Sequence, residues 1–258
     1  MPKLSAGHSV ADLAAADLDV LVIGGGIVGA GSALDAVTRG LRVGLVEEGD
    51  WGGGQSGNTS TLVHGGLMDL TRIGVAAVAE LRRERDLLLD RTAPHLVRRV
   101  PLLVPLTRGP AERLSVGAAL SLYDAAAFSI RQPGVLPGHR QLPRRAVLRL
   151  APALALTHVT GAVQLYETQV DDARLATTVV RTAVAYGVLA IARTAVRSLV
   201  RLDGRVVGAE VTGPDGPAQI RARSVIVASG NERRDLLGGA ATDPGPTARE
   251  AVHLVLPR

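Results

Sequence analysis

A cluster of glycines near the beginning of the chain has the spacing of a phosphate-binding turn, G-x-G-x-x-G. The six residues of the pattern are Gly24, Gly25, Gly26, Ile27, Val28 and Gly29. The first glycine of such a pattern permits a tight turn, the second lets backbone N–H groups approach a pyrophosphate, and the third allows close packing of helix on strand. The N-terminus of the following helix adds partial positive charge. The pattern therefore predicts a dinucleotide site.

An acidic residue follows the glycines at the distance that ribose recognition requires. Glu47 ends the second predicted strand, where its carboxylate can accept hydrogen bonds from both hydroxyls of a ribose. The same carboxylate would repel the 2′-phosphate of NADP. These residues leave FAD and NAD as the candidate ligands.

Two further segments favour FAD over NAD. A loop over residues 52–60, ending at Ser60, is rich in Gly, Ser, Thr and Asn, and its small donors suit an isoalloxazine and a ribityl chain. A late buried strand ends in Ala228, Ser229 and Gly230. This ending resembles the Ala-Thr-Gly motif of flavoproteins with two dinucleotide folds, which passes close to the cofactor.

Hydrophobic periodicity predicts the elements that position these residues. Residues 19–23 form a short apolar run typical of a buried parallel strand, and residues 41–47 a second one. Between them, residues 27–39 have helical spacing, with Ala30, Gly31 and Ala33 expected to face the sheet.

The rest of the chain alternates in the same manner. Predicted helices span residues 59–67, 73–90, 111–128, 143–150 and 171–185, and predicted strands span 101–106, 161–166, 188–192, 195–202, 206–212 and 220–228. Residues 134–143 are expected to be a loop, and Asp203-Gly204 a hairpin turn. The mixed charges of residues 81–86 predict a solvated helix face with intrahelical ion pairs.

Composition excludes several classes of function. The chain has no cysteine, which removes disulfides, thiolate metal sites and cysteine nucleophiles, and we expect no metal site. Its net charge of +5 comes almost entirely from dispersed arginines, and its scarce aromatic residues argue against a nucleic-acid partner. No apolar run is long enough to span a membrane, so we expect a soluble or peripherally attached protein.

Longer motifs resemble one family, the FAD-dependent glycerol-3-phosphate dehydrogenases. The chain reads Ser60-Thr61-Leu62-Val63-His64-Gly65-Gly66-Leu67 where that family normally has Ser-x-Leu-(Ile/Val)-His-Gly-Gly-Leu. Further agreement lies at residues 93–97, 148–152, 170–175 and 253–258. In order, these segments cover nearly the whole chain from residue 19.

The resemblance implies an α/β fold, with a Rossmann-like FAD-binding domain of the two-dinucleotide-fold type and a partial β-rich substrate domain. We expect a tail at residues 1–17, an FAD-binding domain at 18–98 and 170–232, and the substrate-binding part at 99–169 and 233–258. It also implies oxidation of sn-glycerol 3-phosphate to dihydroxyacetone phosphate, with a quinone as acceptor. The implied location is cytoplasmic, with contact to the inner face of the cell membrane.

Individual roles follow from the resemblance. His64 is the candidate group that takes the proton of the C2 hydroxyl as hydride leaves, although a histidine in a glycine-rich turn is more often a structural hydrogen bonder. Gly65 and Gly66 are expected beside the cofactor, and the backbone of Val196 beside the adenine. Asp171 and Asp172 look like an acid pair, but at a helix start capping is the favoured role.

The sequence also departs from the family pattern. Met68-Asp69 replaces an Arg-Tyr pair on the substrate side, and Thr61 replaces a lysine. The loss of an arginine disfavours a phosphate dianion. Family members are considerably longer, so we expect a truncated chain.

Two alternatives to a glycerol-3-phosphate dehydrogenase follow. The chain could be a catalytically inactive FAD-binding relative, or a different amino-acid or hydroxy-acid flavin oxidase.

Overall fold

The computed structural model describes residues 8–66, 70–128, 135–230 and 236. These residues form two compact units, one drawn from Met1–Ser60 with Asp171–Arg258 and the other from Thr61–Val170. The unit boundaries thus fall after residues 60 and 170, whereas the sequence placed domain boundaries after 98 and 169; which domain has which function remains a prediction. Met68-Asp69 and the motif at 253–258 lie outside the described residues.

The elements follow one another in mixed order. The helices are α1 (Val10–Ala15), α2 (Ile27–Thr38), α3 (Leu70–Leu87), α4 (Pro110–Phe128), α5 (Arg144–Leu150) and α6 (Asp172–Ala185). The strands are β1 (Leu18–Ile23), β2 (Val43–Val46), β3 (Leu62–Val63), β4 (Arg98–Leu106), β5 (Arg140–Pro143), β6 (Gly161–Gln169), β7 (Leu189–Ile191), β8 (Ala195–Leu202), β9 (Arg205–Gly213) and β10 (Gly216–Val227). Among the described residues, no helix is long and apolar enough to cross a membrane.

The first unit is built on a six-stranded sheet of order β7-β2-β1-β10-β9-β8. Strands β7, β2, β1 and the end of β10 run parallel, whereas β8, β9 and the beginning of β10 form an antiparallel meander. Ile23 pairs with Val227, so β1 and β10 end side by side at one edge of the sheet. In open parallel sheets this carboxyl edge is where ligands bind.

Helices cover both faces of the parallel strands. On one face, α2 presents small buried residues (Ala30, Ala33 and Ala36) to the sheet, and α6 packs beside it. On the other face, Val10 and Leu13 of α1 join the core formed with β1 and the meander. The prediction of an α/β Rossmann-like fold is confirmed. One detail was wrong: Gly31 does not face the sheet, since a Cβ added there would meet no atom within 4 Å.

The second unit is built around β6. This strand pairs antiparallel with β4 along its whole length, and on its other side with β5 and then with β3. Leu120 of α4 packs on β4 and β6, and Val147 of α5 packs on Leu142 and Ala162. Gly74 interrupts the helical geometry of α3 with a φ of 82°.

Three predictions of local structure need correction. Residues 59–66 do not form the expected helix but lead into and out of β3, which pairs with β6. The expected loop at residues 134–143 ends in β5. The expected tail contains α1, whose Ser9 and Asp12 form a capping box. The remaining predicted helices and strands are present, with ends shifted by a few residues.

Candidate cofactor site

The glycine turn between β1 and α2 has a backbone that only glycine allows. Gly24 has a φ of 108°, and a Cβ there would overlap the Ala228 carbonyl oxygen. A Cβ at Gly29 would overlap the Gly24 carbonyl oxygen. The Gly24 amide donates to the Val46 carbonyl at the end of β2 (2.8 Å). The Ala228 amide, just after β10, donates to the Ile23 carbonyl at the end of β1 (2.7 Å). The motif therefore brings α2 close to the ends of β1 and β10.

The N-terminus of α2 is available to an anion. Gly26 is its N-cap residue and supplies no side chain, and the first turn has no acidic residue. The Ile27 amide donates to the Ser56 hydroxyl at 2.9 Å. A hydroxyl can accept from this amide and still donate its own proton to a phosphate oxygen. The arrangement fits a diphosphate on the positive end of a helix.

Glu47 is held in place by backbone amides on both sides of its carboxylate. Its Oε2 accepts from the Gly25 amide at 2.5 Å and its Oε1 from the Gly49 amide at 2.7 Å. The main chain of Glu47 is fixed as well, since the Thr194 amide donates to its carbonyl at 2.9 Å. Each carboxylate oxygen retains a further lone pair, so the group can still accept from ribose hydroxyls.

Two cavities surround these groups in the first unit. The larger, about 470 Å³, is lined by Ile23, Gly24, Val46, Glu47, Glu48, Gly49, Asp50, Gly53, Gly54, Thr194, Val196, Ser229 and Leu236. The smaller, about 270 Å³, is lined by Gly24, Gly26, Val28, Glu47, Gly54, Gln55, Ser56, Ala228, Ser229 and Gly230. Because the cavities share Gly24, Glu47, Gly54 and Ser229, a long ligand could occupy both. A total volume of this size is typical of small-molecule sites.

The cavities unite most of the residues that the sequence singled out for a cofactor. The predicted residues that line them are Gly24, Gly26, Val28, Glu47, Val196, Ser229 and Gly230. Gly25, Ile27 and Gly29 build the turn itself, and Ser60 lies outside both linings.

Several contributors were not singled out from the sequence. Among them are Thr194, Ser56 and Trp51, whose ring leaves no room for a Cβ at Gly25. Ser56 stands in the Gly/Ser-rich loop that was expected to approach the ligand, so that loop composition was the available signal. Nothing local marks Thr194, because its place depends on the pairing of β2 with β7.

The remaining predicted residues belong to the second unit. His64 follows β3 and is exposed, whereas Gly65 and Gly66 are buried. Gly66 has a φ of 78°, and a Cβ at Gly65 would overlap the Tyr123 hydroxyl. Glycine is thus required at both positions by the packing of this unit, independently of any ligand.

The prediction of a solvated face on α3 holds for Arg83 and Glu84, which are exposed, but is wrong for two arginines. Arg82 and Arg85 are buried, with 7% and 1% of their surface exposed. Arg85 Nη1 donates to Glu167 at 3.0 Å and to the Tyr123 hydroxyl at 3.2 Å, and the Arg82 guanidinium lies 4.2 Å from the centre of the Tyr123 ring. Helical spacing puts both arginines on the same face as buried Val78. We call Arg82, Arg85, Tyr123 and Glu167 the ionic cluster.

Burial also changes proton affinities in the ionic cluster. Loss of solvent raises the pKa of Tyr123 to about 12, despite the opposing effect of Arg85. Burial by itself would lower the pKa of the Arg85 guanidinium, but the nearby Tyr123, Asp86 and Glu167 outweigh it and raise that pKa. Tyr123 is therefore a neutral phenol that can donate to the Glu167 carboxylate, 3.4 Å away.

Of the acid pair at the start of α6, Asp171 caps the helix, as predicted. Asp171 is the N-cap residue, and its carboxylate accepts from the Arg174 amide at 3.0 Å. Asp172 accepts a hydrogen bond from the Thr59 hydroxyl, which fastens the glycine-rich loop to the helix.

Comparison with known proteins agrees with this geometry. Residues 19–258 match the family described as FAD dependent oxidoreductase. The chain is 40% identical to glycerol-3-phosphate dehydrogenase 2 of Mycobacterium tuberculosis over 93% of its own length and 41% of that protein. It is 34% identical to the aerobic glycerol-3-phosphate dehydrogenase of Staphylococcus saprophyticus over 95% of its length and 44% of that protein. The predicted family resemblance is confirmed, and the chain spans about two-fifths of the length of these relatives.

Solved structures agree in fold. The glycerol-3-phosphate dehydrogenase of Bacillus halodurans, complexed with FAD, superposes with a TM-score of 0.64 and 28% identity, over 85% of this chain and 36% of that one. L-α-glycerophosphate oxidase of Mycoplasma pneumoniae shares the fold with a TM-score of 0.63 at 17% identity, over 83% of this chain and 54% of that one. The glycine turn, the helix that it opens and the matched residues together establish that this chain belongs to the FAD-dependent oxidoreductase family.

Proposed function

We propose that the first unit binds FAD, with the diphosphate at the start of α2 and the adenosine ribose at Glu47. The observation that supports this most directly is a carboxylate that is fixed by two amides and lines both cavities, the smaller of which also contains the start of α2. The smaller cavity has the glycines and the Ser56 hydroxyl that suit a diphosphate. The larger has Val196 for the adenine, and Ser229 and Gly230 would approach the cofactor from β10.

We further propose that the chain takes part in the oxidation of sn-glycerol 3-phosphate to dihydroxyacetone phosphate. FAD, when bound, supplies the flavin N5 that accepts the hydride leaving C2. His64 takes the proton of the C2 hydroxyl, so that the carbonyl forms as the hydride departs. Its exposure and its place in a segment shared with the dehydrogenases support this role. Gly65 and Gly66 would place the same segment beside the cofactor.

The division of work between the units follows from these assignments. The sheet of β1, β2, β7 and β10 would hold the cofactor, and the antiparallel unit would supply part of the substrate side. The resemblance to glycerol-3-phosphate dehydrogenases supports a quinone as electron acceptor and a peripheral contact with the cytoplasmic face of the membrane. Quinone reduction by the reduced protein, with and without phospholipid vesicles, tests both.

Anaerobic flavin bleaching tests the proposed reaction. The purified chain, reconstituted with FAD, should be yellow and should lose its absorbance near 450 nm, a standard flavin wavelength, when glycerol 3-phosphate is added. In His64→Gln the flavin should still bind, but bleaching should slow by roughly a hundredfold or more, because the proton has no acceptor.

Two other outcomes would count against the proposal. A yellow protein that does not bleach would indicate an FAD-binding relative without turnover. A correctly folded but colourless protein would contradict the cofactor assignment itself.

A further inference from the structure

A buried carboxylate accepts a hydrogen bond from the main chain of the segment that contains His64. The Gly65 amide donates to both oxygens of Glu167, at 3.2 and 3.4 Å. Glu167 lies on β6 with only 4% of its surface exposed, and Gly65 follows His64 directly in the chain. The main chain next to an exposed histidine is therefore fixed by a charge from the interior of the second unit.

That carboxylate is itself oriented by α3 and α4. Arg85 Nη1 donates to its Oε2 at 3.0 Å, and the Tyr123 hydroxyl lies 3.4 Å from its Oε1. The other nitrogens of Arg85 hold Asp86 at 2.9 and 3.0 Å. Both oxygens of Glu167 thus have a partner on each side, so the carboxylate cannot turn without breaking several hydrogen bonds.

Burying the ionic cluster in the core carries a large desolvation penalty. Buried ion pairs often contribute no more stability than apolar side chains of the same volume, because desolvation offsets the Coulomb attraction. Within the part of the chain that the structure describes, Arg82 Nε is a buried donor without an acceptor, which adds to this cost. Stability alone is a weak reason for such a cluster beside a glycine pair.

Gly65 and Gly66 give a better reason for the presence of the ionic cluster than stability does. There is no space for a side chain at Gly65, and Gly66 has a positive φ, so glycine is needed at both positions. A Gly-Gly segment is also intrinsically permissive in conformation. A hydrogen bond from its amide to a fixed, charged acceptor restores the order that the glycines remove.

We infer that Glu167, oriented by Arg85 and Tyr123, is a positioning residue that sets the backbone of His64 for proton transfer. This inference rests on the proposed function, since it deepens the role given to His64. Glu167 acts through the Gly65 amide and needs no contact with substrate.

Amide hydrogen exchange of the cofactor-free chain tests the structural half. In Glu167→Gln the acceptor remains but its charge is lost, so the Gly65 amide should exchange roughly five- to tenfold faster than in the wild type. Amides of the β4–β6 pairing should keep their rates. Glu84→Gln, the same change at an exposed position of α3, is the matched control and should leave Gly65 unchanged.

Uniform acceleration throughout the second unit would overturn the inference, because it would reveal a purely structural carboxylate. An unchanged Gly65 rate would overturn it as well. Should Glu167→Gln fail to fold, Tyr123→Phe removes only one hydroxyl from the same carboxylate. It should accelerate Gly65 exchange in the same direction and by a smaller factor, and no effect there would also reject the inference.

Flavin reduction by glycerol 3-phosphate tests the functional half. Glu167→Gln should reduce the flavin roughly tenfold more slowly at saturating substrate, while the dissociation constants of FAD and of substrate stay within about twofold of the wild type. Wild-type protein that binds FAD and is reduced, with Glu167→Gln reduced equally fast, would reject the inference alone. Faster Gly65 exchange in Glu167→Gln, in a chain that never binds FAD, would reject the proposed function and leave only the structural half of the inference.

Discussion

Gly29 and Gly31 lie on the same helix, α2, but only Gly29 is tightly packed, so the two positions can be compared by the same substitution. A Cβ at Gly29 would overlap the Gly24 carbonyl oxygen, whereas a Cβ at Gly31 would have no atom within 4 Å. The first glycine allows the helix to approach the turn. The second has no such role and only weakens the helix, since glycine has a low helix propensity.

Alanine at each position should therefore have opposite effects. Gly29→Ala should push α2 away from the turn and weaken FAD binding by roughly a hundredfold, with about 2 kcal/mol or more lost in the free energy of unfolding. Gly31→Ala should bind FAD normally and gain about 0.5–1 kcal/mol. FAD titration and urea unfolding measure both quantities. Equal behaviour of the two variants would contradict the packing described for the turn.

At the residue scale, the sequence predicted an arrangement most directly where it is local, while the roles of these residues toward a cofactor stay predictions. The glycines and Glu47 belong to one strand–helix–strand segment, and the structure brings them together. The charged run of α3 was misjudged because a pattern of charges does not reveal partners that arrive from elsewhere. Arg85 is buried because Glu167, 82 positions later, supplies its counter-charge.

At the scale of elements, a carboxylate ties the beginnings of two neighbouring strands. Asp19, in β1, accepts from the Arg42 amide at 2.9 Å and from the Arg42 guanidinium at 3.2 Å, just before β2. The side-chain hydrogen bonds from Arg42, followed by its amide, lower the pKa of Asp19 to about 2. The folded state therefore favours the ionised carboxylate.

Because the pKa of Asp19 is lower in the folded state, its ionised carboxylate stabilises the fold at pH values above the ordinary pKa of 3.8. This stabilisation disappears as the pH falls toward about 2. Asp19→Asn should lower the free energy of unfolding at neutral pH, and the difference from the wild type should shrink across that interval. Denaturant unfolding at several pH values measures it, with Asp215→Asn in the β9–β10 turn as the control for loss of charge. A difference that is the same at every pH would contradict this assignment.

Among the elements that sequence analysis missed are β3 and α1. The first forms by pairing with a strand far away in the chain, and the second is too short for a clear helical periodicity. The backbone of residues 59–66 was predicted as helix, but Leu62 pairs with Gln169 at the far end of β6, and no local pattern announces this. Helix α1 is only six residues long, so its periodicity is weak. Its capping box, Ser9 with Asp12, was a readable signal that could have identified it.

At the scale of the whole molecule, the dinucleotide elements fall within one unit although they are far apart in sequence. The turn at Gly24 and the strand end at Ser229 meet because β1 and β10 are parallel neighbours. The fold class was predictable because strand, glycine turn, helix and acid occur in a fixed order. The order of strands in the sheet was not, because it is set by tertiary pairing.

Binding of FAD by the first unit is the claim on which the rest depends, and Trp51 offers a direct reporter. It is the only tryptophan of the chain, and it packs against Gly25 in the glycine turn. Titration of FAD into the purified protein should quench its emission saturably, with FMN and NAD binding much more weakly. Glu47→Gln should weaken the binding of FAD roughly tenfold, because a charged acceptor of ribose hydroxyls is lost. Unquenched or non-saturable emission from the folded protein would contradict the account.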